Sequence, residues 1–425
     1  MLYFWLFIVS GLAYSNNSIT PIVFISFLIF FIKKYSEFRK KEIDRSTIML
    51  IFMAYSLPFS WRNFMGGSYD AIPISWFYIF GMFYVLILLF MKNKIIYKRT
   101  MLLFVTSIIV TLISVIPIIY TNSSFLGQGI TQFIILTFNN LVILFSVFKY
   151  NSIDDEEMNI IKNAYVTGAL YTSIMLISQY LLFKYANYEF GYINFLYNRV
   201  LTYYLFTDIS HGTLYLGTAA FWVLYGTKNK VGNLKEYIII LIISLGSAIT
   251  SARTGLFILG AFVFLFIIFG QKNVVKKIGL SIVFLIISYF SFEFLQGVRQ
   301  MDSLSDLTNS SGRTEGYKAA MIALKNHPFT GFGYSRDYLA LTIRDTVPHL
   351  SILQYALHGG VFFSLFLYFN QFLIYVDSVR KKSVFSWLIM MVLAGTCLIP
   401  DLFATRYITL LCALSISYKK SYKNQ

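Results

Sequence analysis

The chain has 425 residues, of which 57% are hydrophobic and only 13% are charged, and its formal net charge is +16. This composition excludes a soluble globular protein, whose surface needs far more polar side chains, and it indicates an integral membrane protein. Roughly 20 apolar residues cross a bilayer, so the apolar stretches predict about 14 spans, within a range of about 12–14. The predicted fold class is therefore all-α, a polytopic transmembrane helical bundle.

The predicted spans follow one another over the whole sequence and are separated mostly by short connections. Approximately, they cover residues 2–14, 19–32, 47–61, 71–91, 100–120, 128–148, 163–183, 209–226, 237–250, 254–270, 278–295, 349–376, 383–400 and 403–418. Two connections are longer, one at residues 184–208 and one at residues 296–348. We expect a single integral membrane domain over residues 1–425 that carries both loops on the same face.

Lysine-rich loops alternate with lysine-poor loops along this threading. Of the 35 basic residues, 24 fall on one face, called the inner face below, and 11 fall on the outer face. The positive-inside rule assigns the inner face to the cytoplasm and predicts a multi-pass protein with both termini cytoplasmic. The net charge therefore reflects membrane topology, and nucleic acid is not expected as a partner.

Arginine and lysine are distributed differently between the two faces. The inner face has only four arginines among its 24 basic residues, whereas the outer face has eight among its 11. A planar guanidinium binds phosphate oxygens through two parallel hydrogen bonds, which a flexible ammonium does poorly. The bias therefore favours phosphate binding on the outer face. The outer arginines are Arg62, Arg199, Arg253, Arg299, Arg313, Arg336, Arg344 and Arg406.

The stretch GSAITSARTG, residues 246–255, interrupts an apolar segment that is too long for one crossing. Residues 237–270 would extend about 51 Å as one helix, so they predict two short crossings with Arg253 at the turn. Arg253 then lies near the start of the following helix, where unpaired amide groups and the helix dipole attract anions. This predicts an anion site; the alternative is an arginine that only snorkels to the interface.

The large outer loop contains a helical pattern followed by a turn. Tyr317, Met321 and Leu324 recur at helical spacing, Pro328 ends the pattern, and two glycines, at 331 and 333, permit a tight turn. We therefore expect this loop to be structured, with interfacial helices on the outer surface.

Three motifs resemble those of a known family. TSARTG resembles the Ser-x-x-Arg-x-Gly signature of the bacterial O-antigen ligase and O-antigen polymerase superfamily. GRTEGYKAAMIALKNHPFTGFG is similar to the outer loop of that family, in which an Arg precedes an amphipathic helix and then His-Pro-x-x-Gly-x-Gly. HLSILQYALHGGVFF resembles the start of the next span, where a His is followed four residues later by Leu and ten residues later by Gly. The arrangement covers residues 199–365.

The resemblance implies a GT-C-like membrane glycosyltransferase that acts on undecaprenyl pyrophosphate-linked sugars at the outer face of the bacterial cytoplasmic (inner) membrane. It also implies that Arg253 and Arg313 bind pyrophosphate and that His349 takes part in catalysis. Arg199 stands where many members of the family carry an arginine. The chain departs from the family at Leu350, where Asn often follows the His, and at His358, where a carboxylate is frequent.

The residues suit this chemistry. A glycosyl pyrophosphate has a good leaving group, so the enzyme must stabilise the departing charge and deprotonate an acceptor hydroxyl. The guanidinium groups of arginines can stabilise the departing charge. The acidic residues predicted on the outer face are scattered along the sequence, so we predict no metal and no cofactor. His349 is the candidate base because histidine side chains usually titrate near neutral pH. The alternative is that His349 only caps the start of the span at the membrane interface.

Other outer residues are candidate substrate contacts: His211, Arg336, Arg344, Tyr317 and Tyr338. His211 opens a span and is either a helix-terminus residue or a substrate contact. The two remaining histidines have structural interpretations: His327 lies in the turn before Pro328, and His358 is a buried polar partner within its helix.

The leading functional hypothesis is an O-antigen or capsule repeat-unit polymerase. The first alternative is an O-antigen ligase that transfers glycan to lipid A core, and the alternative from another class is a lipid-linked oligosaccharide flippase. A flippase needs charges in a central cavity and repeat symmetry, which the sequence does not display. The expected partners are undecaprenyl pyrophosphate-linked oligosaccharide, membrane lipid and, for a polymerase, a chain-length regulator protein.

Overall fold

The structure is a computed structural model of the chain. It describes residues 1–67, 74–92, 94–196, 199–227, 234–250, 252–270, 313–343, 347–402 and 406–419, with isolated helical positions between 274 and 289. Contacts divide the chain into two compact units. The first unit comprises Met1–Phe80 and Asn159–Leu307, and the second comprises Gly81–Met158 and Thr308–Gln425. The prediction of a single membrane domain with two outer loops stays a prediction.

The described residues are mostly helical. In chain order the helices are α1 (Leu2–Ser15), α2 (Thr20–Lys40), α3 (Arg45–Ser56), α4 (Trp76–Leu89), α5 (Met101–Ile113), α6 (Ile116–Ile119), α7 (Leu126–Ser146), α8 (Asp155–Ala186), α9 (Ile209–Gly226), α10 (Leu234–Ile249), α11 (Arg253–Leu265), α12 (Arg313–Asn326), α13 (Arg336–Ile343), α14 (Ser351–Arg380), α15 (Phe385–Gly395) and α16 (Tyr407–Ser417). Two of the three unit boundaries fall within α4 and just inside the start of α8.

Several helices have the length and composition of membrane spans. In the part of the chain that the structure describes, 5 helical segments are long and apolar enough to cross a bilayer: Asn17–Lys40, Lys98–Ile119, Ser123–Lys149, Asp155–Ala186 and Ser351–Arg380. Shorter apolar helices accompany them, among them α1, α3, α4, α15 and α16. The prediction of an all-α membrane protein is thus confirmed in its broad form, while the span number and the GT-C-like arrangement stay predictions.

A β-hairpin occupies part of the smaller predicted outer loop. Strands β1 (Tyr192–Leu196) and β2 (Arg199–Tyr204) pair in antiparallel fashion. The buried amide of Gln179, on α8, holds the base of the hairpin. Its Nε2 donates to the carbonyl oxygens of Phe190 and Tyr192 at 2.6 and 2.9 Å. Its Oε1 accepts from the backbone N–H of Tyr204 at 3.0 Å. The hairpin is an addition to the predicted all-helical architecture.

In the first unit α9 is the central helix, with every side chain from His211 to Leu224 buried. It runs parallel to α11, because contacts advance together along both helices: Gly255 touches Thr213, and Phe266 lies 5.6 Å from Phe221 between ring centroids. A Cβ on Gly255 would lie 2.3 Å from the backbone of Thr213. The glycine of the TSARTG motif therefore permits a close helix crossing.

In the second unit α12 and α13 pack on the first turns of α14. Their buried side chains form one apolar cluster: Ala320, Ala323, Leu324, Leu339, Ile343, Val347, Leu353, Ala356 and Leu357. The predicted helix in this loop is confirmed. Met321 is 51% exposed, because α12 turns its alanines toward α14 instead.

The turn after α12 docks on a break in α14. Gly360 has φ of 86°, so the helical bonds are interrupted there. The turn supplies replacements: the N–H groups of Phe332 and Gly333 donate to the carbonyls of Leu357 and His358 at 2.7 and 3.0 Å. In return, the N–H of Val361 donates to the Pro328 carbonyl at 2.8 Å. The sequence HPFTGFG thus forms a fixed structural element, as its proline and glycines predict.

Candidate functional site

Arg253 is the first residue of α11. Helix α10 ends at Ile249 and α11 begins four residues later, so the predicted division of this apolar segment is confirmed. Ala252 occupies the N-cap position and offers no side-chain cap, and the first turn of α11 contains no acidic residue. The first amide groups of α11 therefore lack side-chain capping at a position where the chain also places a cation.

His211 lies in the first turn of α9. Asp208 caps this helix, its carboxylate accepting from the N–H of Ser210 at 2.8 Å, and the same carboxylate lies 3.8 Å from His211 Nε2. Because α9 and α11 run parallel and cross near Thr213 and Gly255, the first turns that carry His211 and Arg253 lie at the same end of the first unit.

Two further residues of the hairpin belong to this region of the chain. Arg199 is the first residue of β2 and pairs with Leu196. Tyr203, near the end of the same strand, is half-buried. Burial raises the pKa of the Tyr203 hydroxyl, opposed by a hydrogen bond with Asn194 and reinforced by the charge of Asp208. This hydroxyl therefore stays protonated at neutral pH and is a hydrogen-bond donor.

His349 lies in the second unit, two residues before α14. Its carbonyl oxygen accepts a hydrogen bond from the Tyr317 hydroxyl at 3.3 Å, so α12 contacts the segment that carries His349. Arg313 begins α12 one turn before Tyr317. The structure thus brings together the backbone segments that carry three predicted site residues: Arg313, Tyr317 and His349.

The segment after α15 holds the start of α14. The backbone N–H of Ser351 donates to the carbonyl of Thr396 at 3.0 Å, and the Ser351 hydroxyl accepts from the N–H of Leu402 at 2.7 Å. The N–H of Asp401 donates to Gln354 Oε1 at 2.7 Å. These bonds fix the first turn of α14 and therefore the backbone just after His349. Leu350, at the N-cap, has an extended backbone and provides no cap through its side chain.

Arg336 and Tyr338 lie in the first turn of α13. Ser335 caps this helix by accepting the N–H of Tyr338 at 3.1 Å, and Gln128 Nε2 donates to the Asp337 carboxylate at 2.6 Å. Arg336 is exposed and Tyr338 is half-buried. Both are therefore accessible, as a substrate contact requires. Arg344 lies outside the described residues.

A polar cluster that the sequence reasoning missed stands beside α14. The Asp401 carboxylate accepts from Gln132 Nε2 at 2.7 Å and from the Tyr355 hydroxyl. Gln128 and Gln132, one turn apart at the start of α7, are an available sequence signal, because two amides four residues apart are uncommon at the end of an apolar span. Asp401 has no such signal, since its partners are distant in sequence.

The two histidines interpreted as structural differ in their surroundings. His358 is buried; its Nδ1–H donates to the Gly333 carbonyl at 2.7 Å, and its Nε2 accepts from Gln354 Nε2 at 3.2 Å. These partners require the neutral tautomer with the proton on Nδ1. His327 is exposed and packs edge-on against Phe332, with 4.8 Å between ring centroids. The interpretation of His358 as a buried polar partner is confirmed.

The predicted site residues therefore fall into two groups. The first unit carries Arg199, His211 and Arg253, and the second carries Arg313, Tyr317, Arg336, Tyr338 and His349. Within the described part of the chain, no group of three or more His, Cys, Asp or Glu side chains is placed to hold a metal ion. Metal independence and the individual site roles stay predictions.

Comparison with known proteins places one part of this arrangement in a family. No curated protein matches the chain. Residues 238–368 match the family model described as O-antigen ligase. That segment contains Arg253, Arg313 and His349, whereas Arg199 and His211 precede it. Residues 238–368 of the chain are therefore similar to the O-antigen ligase family, which confirms the resemblance to the O-antigen polymerase and ligase superfamily.

Proposed function

We propose that this protein is an O-antigen or capsule repeat-unit polymerase at the outer face of the bacterial cytoplasmic membrane. It transfers glycan from one undecaprenyl pyrophosphate carrier to the nonreducing-end sugar of another lipid-linked repeat unit. The family match supports glycan transfer of this general type, and the apolar helices support a membrane enzyme.

The observation that carries the proposal is the position of Arg253. The positive end of a helix dipole disfavours a cation, and no acidic side chain in the first turn of α11 compensates for it. A phosphate bound at the first amide groups of α11 removes this conflict, and the sequence supplies an arginine at that position to pair with it. Arginines also begin α12 and α13, but acidic residues, Glu315 and Asp337, accompany them in those first turns.

The reaction then divides between two kinds of residue. When the sugar–oxygen bond to the carrier breaks, the pyrophosphate leaves with additional negative charge, which Arg253 and Arg313 stabilise together with Arg199. The acceptor hydroxyl attacks the anomeric carbon, and His349 accepts its proton. The charge on the leaving group is thus carried by guanidinium groups, and the reaction is proposed to be independent of a divalent metal.

A ligase is the second candidate, because the matching family is described as O-antigen ligase. A ligase would use the same donor but would transfer its glycan to a lipid A core sugar. The two candidates therefore differ only in the acceptor, and the acceptor decides between them.

The test uses purified full-length protein with a defined undecaprenyl pyrophosphate oligosaccharide, in the presence of EDTA and without any core acceptor. A polymerase yields a ladder of products whose lengths increase by one repeat unit. Transfer only after a lipid A core acceptor is added would replace the polymerase with the ligase. A strict requirement for Mg²⁺ would refute metal independence, and no transfer under either condition, with protein that is folded, would overturn the proposal.

A further inference from the structure

A cavity of 340 Å³ lies inside the first unit, and the lysines of its lining, Lys33 and Lys34, both come from α2. Helices α1, α2, α3 and α8 line it, and its polar lining includes Tyr3, Lys33, Lys34, Glu37, Tyr55 and Tyr171. None of these residues belongs to the site described above. This α1–α2 cavity lies on the face that the positive-inside rule assigns to the cytoplasm.

The charges in the α1–α2 cavity are not balanced. Lys34 Nζ forms an ion pair with Glu37 Oε2 at 2.8 Å, so these two charges neutralise each other. Lys33 forms no ion pair with any described residue, and it is exposed. The amino terminus of Met1 also lines the cavity, so the cavity has an excess of positive charge and no carboxylate left to bind a cation.

The hydroxyl groups add donors to this charge. Tyr3 is already engaged, since its hydroxyl donates to the Tyr55 carbonyl at 2.8 Å. The hydroxyls of Tyr55 and Tyr171 donate to no other group in the part of the chain that the structure describes, although both rings are packed and line the cavity. An ammonium and two phenolic donors without acceptors suit an anion with several oxygens, such as a phosphate.

An apolar stripe on α2 leads to the same ammonium group. Ile25, Ile29 and Lys33 are spaced by four residues and share one face of the helix. Ile25 is 54% exposed and Ile29 is 53% exposed, as expected for side chains in contact with acyl chains. Lys33 lies about 6 Å beyond Ile29 along the helix axis. A lipid that lies along the stripe would therefore place its phosphate at Lys33, whereas a soluble phosphate would make no use of the stripe.

We propose that the α1–α2 cavity binds the headgroup phosphate of an anionic phospholipid from the inner leaflet. Lys33 pairs with the phosphate, Tyr55 and Tyr171 donate hydrogen bonds to it, and an acyl chain lies along Ile25 and Ile29. The excess positive charge and the engagement of Glu37 by Lys34 favour an anionic headgroup over a zwitterionic one. Basic pockets between transmembrane helices on the cytoplasmic side bind anionic lipids in this manner. The inference does not depend on glycan transfer.

The experiment measures lipid binding to purified full-length protein in detergent by native mass spectrometry. The probes are dioleoylphosphatidylglycerol, dioleoylphosphatidylcholine and glycerol 3-phosphate. We expect saturable binding of phosphatidylglycerol, weaker binding of phosphatidylcholine, and no displacement of the bound lipid by glycerol 3-phosphate. Lys33→Gln should weaken phosphatidylglycerol binding about fivefold, the loss expected for one basic residue near an anionic lipid.

Lys40→Gln is the matched control, because Lys40 is exposed at the end of the same helix but does not line the cavity. It should bind phosphatidylglycerol as the unmodified protein does. Unchanged binding by Lys33→Gln, or an equal loss in both variants, would overturn the proposal in favour of general surface attraction. Displacement by glycerol 3-phosphate would also overturn it and would identify a site for soluble phosphates.

Discussion

Among the single residues, Arg253 has the most direct consequence for activity. It begins α11 at a helix end that has neither a side-chain cap nor an acidic residue in its first turn. We expect Arg253→Lys to lower glycan transfer about 10²-fold, because a lysine keeps the charge but loses the paired hydrogen bonds to phosphate. The measurement is the initial rate of product formation by purified protein with lipid-linked oligosaccharide.

The control for this substitution is Arg62→Lys. Arg62 is also predicted to be on the outer face, but its guanidinium lies 3.7 Å from the ring centroid of Tyr14, and a lysine retains attraction to an aromatic ring. Its rate should stay close to that of the unmodified protein. Equal rates for Arg253→Lys and Arg62→Lys would remove the phosphate-binding role from Arg253.

His349 and His358 allow a contrast between catalysis and stability on one short segment. His349→Ala should lower transfer by 10²–10⁴, as expected for loss of a general base, with little change in thermal unfolding. His358→Ala should lower the free energy of unfolding by about 2–4 kcal/mol, because it opens a cavity and leaves the Gly333 carbonyl and the Gln354 amide without their partner.

Thermal unfolding in detergent, followed by intrinsic fluorescence, separates the two outcomes. An active and stable His349→Ala protein would leave the interfacial cap as the only role for that residue. If His358→Ala unfolded at the same temperature as the unmodified protein, the hydrogen bonds of its imidazole would not be contributing to stability.

At the scale of elements, the crossing of α9 and α11 determines where Arg253 lies. Gly255→Ala should lower the free energy of unfolding by about 1–3 kcal/mol, since its Cβ would lie 2.3 Å from the backbone of Thr213 and the helices must separate. Transfer should fall by more than the folded fraction does, because a displacement of about 1 Å at a catalytic site costs roughly 10²-fold.

Gly127→Ala is the matched control for this glycine. Gly127 is near the start of α7, and a Cβ there would meet no atom within 4 Å. Alanine also has the higher helix propensity, so this variant should be as stable as the unmodified protein or slightly more stable. If Gly255→Ala behaved in the same way, the close crossing would not position α11.

The elements differ in how far the sequence predicts them. Local signals define the division between α10 and α11 and the end of α12, because span length and Pro328 act on their immediate neighbours. The buried face of α12 depends on α14, which is distant in the chain, so periodicity predicts the helix but not that its alanines are the buried side chains. The hairpin depends on Gln179, a buried amide whose partners follow in a loop, and propensity does not reveal it.

The same contrast between local sequence signals and contacts of distant residues applies to the candidate site. Motif resemblance identifies Arg253, Arg313 and His349, because each belongs to a short sequence pattern that the chain preserves. Asp401 was missed because its partners on α7 and α14 come together only in the folded chain. The residues proposed to touch substrate are thus more visible in this sequence than Asp401, whose contacts form only in the folded chain.

For the whole molecule, the asymmetry of basic residues predicts the orientation and therefore the face on which the proposed reaction takes place. The positive-inside rule predicts that Lys40, at the end of α2, is cytoplasmic and that Lys325, near the end of α12, is on the opposite face. Both side chains are exposed, so a cysteine at either position is accessible to a reagent in water. Natural cysteines occur only at positions 397 and 412, and serines replace them for this experiment.

A membrane-impermeant maleimide applied to intact spheroplasts should label Lys325→Cys and leave Lys40→Cys unlabelled. After the membrane is permeabilised, both should react, which establishes that each cysteine is reactive. Labelling of Lys40→Cys from outside would reverse the orientation. Arg253 and His349 would then face the cytoplasm, where extension of glycans on externalised carriers cannot take place, and the proposed polymerase would fail together with the topology. Labelling only at position 325 places α12 on the face that the glycan transfer hypothesis requires.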